Sequence, residues 1–208
     1  MTDLKKPPHL WGTDYVKKYC TSQEISNYLA VYLTQERKEQ SDTDATFVYD
    51  ALLAMVQKYP GSEVIAHCFA HQVLHHPPKE SENVFGRSLS MLEAILERFP
   101  DETLAREAVL NAMERYLLDL NIDQEPSRDL LFWVEKYPEF FADSEQGATI
   151  MAEIWGSMPE GRIDAVLQAI TMQLESFHKT YPHNRRILAA LKECQFVLEV
   201  YEQQRKLS

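Results

Sequence analysis

Ala54-Met55-Val56-Gln57-Lys58-Tyr59-Pro60-Gly61-Ser62 and Ala94-Ile95-Leu96-Glu97-Arg98-Phe99-Pro100-Asp101-Glu102 place an apolar run, a basic residue, an aromatic and a proline in the same order. The phrase returns in shorter form as Lys136-Tyr137-Pro138 and Thr180-Tyr181-Pro182, so the four prolines stand 40, 38 and 44 residues apart. Proline disfavours helical geometry in the residue before it and lacks the amide that a helix interior needs. It suits the first position of a new helix, where that amide would be unpaired anyway. Each phrase therefore predicts a tight corner between two helices, with the aromatic filling the gap where they diverge.

The segments between the corners have helical period. In 84–98, Val84, Leu89, Leu92, Ile95 and Leu96 recur at helical steps, and Glu93 and Glu97 turn elsewhere. In 101–120, Asp101 and Glu102 open the run at its positive end, Ala105, Ala108, Ala112, Met113, Tyr116 and Leu120 face inward, and Glu102 pairs with Arg106 at i, i+4. The pattern predicts helices at about 13–20, 22–39, 43–58, 62–76, 83–98, 102–120, 127–136, 142–157, 161–179 and 184–206. Breaks fall at Gln40-Ser41-Asp42, at His76-Pro77-Pro78-Lys79, from Asn121 to Pro126 and from Gly156 to Gly161. Alternation at period two, the mark of a strand, is sustained nowhere. The expected fold is all-α, about ten helices in stacked hairpins, one domain over 1–208 with an irregular tail at 1–12.

The junctions Ala54 to Ser62 and Ala94 to Glu102 resemble those between successive tetratricopeptide repeats, where one helix ends before a proline and the next begins. The period exceeds the 34 residues of that family and its W-x-x-L-G-x-x-Y signature is absent, so the resemblance is to a divergent tetratricopeptide-like or HEAT-like array. It implies an α-solenoid that binds a peptide or protein segment on one face without catalysis.

Composition bounds the function. No apolar run reaches the roughly 20 residues of a membrane helix, and the two lysines of the first fifteen residues are not followed by an apolar stretch, so the expectation is a cytoplasmic protein without a membrane partner. Cys20, Cys68 and Cys194 are odd in number and widely spaced, which argues against a disulfide framework or a zinc module. The net charge of −11 is concentrated. Glu80 to Asp164 holds 19 acidic and 7 basic residues, against 13 and 14 elsewhere. With no basic stripe, nucleic acid is disfavoured and a basic protein or peptide is the expected partner.

The candidate binding residues on the acidic middle are Glu93, Glu97, Glu102, Glu107 and Glu114. The aromatic run around Leu130 to Phe141 adds Trp133 and Phe140 as possible exposed anchors, although most of that run suits a core. His67, His71 and His75 fall on one helix face at steps of four, a spacing with which His67 and His71 could share a metal ion. The blander reading is that this helix is apolar nearly all round and central, its histidines hydrogen-bonded at a groove. No phosphate loop, dinucleotide fingerprint, nucleophile elbow or H-E-x-x-H motif is present, so no cofactor and no catalytic residue is expected. The leading expectation is a non-enzymatic adaptor. An inhibitor of a basic toxin or nuclease and a metal-dependent helical enzyme using His67 and His71 are the alternatives.

Overall fold

The computed structural model describes residues 16, 18, 20–35, 42–77, 82–119, 128–157 and 164–207. Among them are ten helices and no strand. They are α1 (Gln23–Gln35), α2 (Asp42–Lys58), α3 (Glu63–His75), α4 (Glu82–Arg98), α5 (Thr103–Asp119), α6 (Arg128–Lys136), α7 (Pro138–Ala142), α8 (Glu145–Gly156), α9 (Asp164–Thr180) and α10 (Arg185–Leu207). Most of the expected helix at 13–20, the tail 1–12 and much of the expected breaks lie outside the described residues.

The chain makes the same two backbone bonds at all four proline phrases. The aromatic N–H donates to the carbonyl four residues back and closes the last helical turn. Tyr59 bonds Met55 at 2.9 Å, Phe99 bonds Ile95 at 2.7 Å, Tyr137 bonds Trp133 at 2.9 Å and Tyr181 bonds Phe177 at 2.7 Å. The aromatic carbonyl then accepts from the N–H three residues on, from Ser62, Glu102, Phe140 and Asn184, at 3.0 to 3.1 Å. Proline stands second in this turn, where its fixed φ costs nothing.

The side chain at the fourth position of the turn decides how the next helix begins. Ser62 Oγ accepts from Ile65 N at 3.3 Å, Glu102 Oε1 from Leu104 N at 3.2 Å, and Asn184 Oδ1 from Arg186 N and Ile187 N at 3.1 Å each. Each caps a long helix by satisfying its orphan amides. Phe140 has no side-chain oxygen to offer. The chain instead starts α7 directly at Pro138, and the long helix α8 waits for Ser144, whose Oγ accepts from Gly147 N at 3.1 Å. The helix expected from about 142 is thus preceded by the separate turn α7.

Ser22 is a further cap, accepting from Ile25 N at 3.3 Å. The caps Ser22, Ser62, Glu102, Ser144 and Asn184 are separated by 40, 40, 42 and 40 residues, and an aromatic stands three residues before each. Cys20 and Ala142 occupy the proline place at the first and fourth. A second periodic feature joins three of the corners: after the caps Ser22, Ser62 and Ser144, the fifth residue of the capped helix reaches the cap 35 residues later. Ser62 Oγ donates to Asn27 Oδ1 at 2.7 Å, His67 Nδ1 lies 3.3 Å from Glu102 Oε1, and Asn184 Nδ2 donates to Thr149 Oγ1 at 2.8 Å.

The chain divides into two compact units, 1–112 and 113–208, with the boundary inside α5. In the first, α3 is central, packed on α1 and α2 and burying Ile65, Ala66, Cys68, Phe69, Ala70, Gln72 and Val73. The Phe69 ring lies 5.5 Å from that of Tyr49, whose hydroxyl accepts from Ser88 at 3.0 Å. In the second, α8 holds the same place, packed on α7 and α10 and burying Gly147 to Ala152, Ile154 and Trp155. There α9 and α10 form a hairpin. The buried aliphatic side chains each contribute about 1.5–3 kcal/mol by leaving water. Among the described residues, no helix is long and apolar enough to cross a membrane.

Candidate partner-binding groove

The histidine row has two environments. His67 takes the periodic fifth position of α3, so its ring turns to the carboxylate of Glu102 at the next corner. His71 is half-buried, its ring 4.5 Å from that of His75 and 6.4 Å from that of His76. Burial lowers its pKa, and the nearby His75, His76 and His67 lower it further. Burial and His75 lower that of His76. Among the described residues no group of three or more His, Cys, Asp or Glu is placed to hold a metal ion. Cys68 is buried beside Thr34, whose hydroxyl lies 3.6 Å from its sulfur, and burial raises its thiol pKa.

The five acidic candidates have different surroundings. In the first unit Glu93 is half-buried, Glu97 and Glu107 are exposed, and Glu102 is occupied as cap and partner of His67. In the second, Glu114 is engaged by neighbouring side chains. It accepts from Gln146 Nε2 at 2.7 Å and lies 3.4 Å from Arg186. Arg186 also grips Glu153 through both of its oxygens. Burial raises the Glu153 pKa, and the Arg186 guanidinium opposes the rise.

Trp133 needs a correction as an exposed anchor. Leu130, Trp133 and Val134 fall at i, i+3 and i+4 on α6 and turn to the core, leaving Trp133 only 4 % exposed. The ring that this geometry sends outward is Phe132, 55 % exposed. The Lys136 ammonium lies 5.5 Å from the centre of that ring and 4.9 Å from that of Tyr137. Phe140 is half-buried, edge-on to Phe141 at 5.1 Å.

The second unit contains a groove of about 520 Å³. Its floor is Met151 and Trp155, one turn apart on α8. One wall is Glu135 at the end of α6 with Pro138, Glu139 and Ala142 of α7, and the other is Ala165, Val166, Ala169, Ile170 and Gln173 of α9. Glu135 and Glu139 are exposed, and among the described residues no Lys, Arg or His lines the space. A counterpart of about 460 Å³ in the first unit lies between α2 and α4, but Gln57, Glu97 and Arg98 give it a mixed, more polar lining.

The groove leaves no mark in charge density or aromatic content, because most of its lining is small or aliphatic side chains. A signal was present on α9. Leu167, Ile170, Thr171, Leu174 and Phe177 are its buried stripe, yet Ala165, Val166, Ala169 and Met172 put further apolar surface on the outward side. That excess is more than a helix with one packed face requires. No protein-family model, curated protein or solved structure matches the chain.

Proposed function

We propose that this protein is a non-catalytic adaptor, a divergent HEAT-like or tetratricopeptide-like array, that binds a basic protein segment through its acidic middle. The observation that carries the reading is the apolar groove over α8 with Glu135 and Glu139 on its rim. Apolar floor and walls supply the area whose burial drives association, and the rim carboxylates steer and select a cationic partner. The 40-residue spacing of the caps supports an array of the HEAT length.

The test is co-purification from native lysate with wild type and with Glu135→Lys/Glu139→Lys. Both residues are exposed, so folding is expected to survive the change. A basic protein retained in stoichiometric amount by wild type and lost by the variant is the expected result. Equal recovery with both proteins contradicts the reading.

A further inference from the structure

Resting on that reading, we infer that the occupant of the groove is an amphipathic α-helix of a partner protein, with aliphatic residues on one face and Lys or Arg beside them. The walls have the form in which helices receive helices. Within single helices, Ala165 with Ala169 and Val166 with Ile170 stand four residues apart on α9, and Pro138 with Ala142 do so on α7. Such rows are the ridges between which the ridge of an incoming helix packs. Ala142, Ala165 and Ala169 keep the walls low and let a backbone come close, while Met151 and Trp155 close the floor. Val166 is 45 % exposed, so the far wall is open to solvent along its upper edge.

Charge fixes the chemistry and the orientation of the occupant. The charged groups of the groove are Glu135 and Glu139, both on the α6–α7 wall, and the α9 wall has none among its described lining residues. The helix therefore carries its basic residues on the flank that faces α6 and α7, and neutral residues on the flank that faces α9. Lys136, the nearest cation in sequence, lies over the rings of Phe132 and Tyr137 and is not among the lining residues.

The probe is a side-chain-stapled peptide of about 15 residues, long enough to be held helical, with leucines at i, i+4 and i+7 and lysines along one flank. Its controls are a scrambled isomer of the same composition and a version with Glu in place of Lys. Binding to the full chain is read by Trp155 fluorescence, with Trp155→Phe as the blank. The stapled helix is expected to bind at least about tenfold tighter than either control, and Ala169→Arg, an exposed site, is expected to weaken it about tenfold with unchanged melting. Equal binding by the scrambled isomer, or full affinity in Ala169→Arg, overturns the helical occupant. Self-association of the chain that Ala169→Arg abolishes also overturns it, in favour of a second copy. If Glu135→Lys/Glu139→Lys loses the co-purified partner while the stapled helix leaves Trp155 unperturbed, the adaptor reading stands and only the helix is wrong.

Discussion

Two glycines in helices have opposite reasons to be there. A Cβ on Gly147 would stand 2.2 Å from the Phe141 carbonyl oxygen and 2.9 Å from its carbon, both backbone atoms of α7 that cannot swing aside. Gly147→Ala is expected to destabilise the protein by about 1–3 kcal/mol, the cost of overpacking, in urea unfolding. A Cβ on Gly86 of α4 meets nothing within 4 Å. Gly86→Ala is expected to stabilise by about 0.5–1 kcal/mol, because alanine loses less backbone freedom in a helix. His71 gives the residue scale a pH dependence. Its folded pKa is below the ordinary 6.5, so between the two values the unfolded chain binds more protons. Stability from this group is full above about pH 6.5 and is lost as pH falls toward the lowered value. The urea midpoint is expected to drop between pH 7.5 and 5.5, and to drop less in His71→Gln; identical pH profiles would remove His71 from the account. The sequence showed the histidine row and its central helix. It did not show that His67 faces Glu102, because that contact is set by a 35-residue periodicity carried by Asn27, His67 and Thr149, three different residue types.

At the scale of the element, the helices were legible because their apolar period and proline corners agree. The third corner differs from the expected pattern in the segment after it, for a reason that is local. Tyr137-Pro138 makes the same backbone turn as the others, but Phe140 cannot cap, so a short α7 intervenes and the long helix starts at the Ser144 cap. The quantity that repeats is an aromatic followed three residues later by a capping oxygen, and proline is the dispensable part. Asn184 concentrates this role, since its side chain accepts from Arg186 N and Ile187 N and donates to Thr149 and Glu145. Asn184→Ala is expected to cost about 1–2 kcal/mol, and Asn184→Ser to restore part of it by returning the cap. Equal loss in both variants would place the effect in the contact with Thr149 and Glu145. Tyr59, half-buried and donating its hydroxyl to Cys20 O at 2.8 Å, is expected to lose about 1 kcal/mol as Tyr59→Phe.

For the molecule as a whole, the excess of acid between Glu80 and Asp164 was readable from composition, but its division among roles was not. Glu102 and Glu114 are taken up by His67, Gln146 and Arg186, and Glu135 and Glu139 border the apolar groove. Which carboxylate pairs and which borders a cavity depends on helix-to-helix register, and a single chain's composition does not encode that register. Rim charges act on encounter more than on residence, and salt screens them beyond about 8–10 Å. The most direct measurement is therefore the association rate of the co-purified basic partner as a function of ionic strength, by stopped flow, for wild type and Glu135→Lys/Glu139→Lys. The account predicts a rate that falls steeply with salt for wild type and a slower, nearly flat one for the variant. The same rate and salt dependence in both proteins would contradict it.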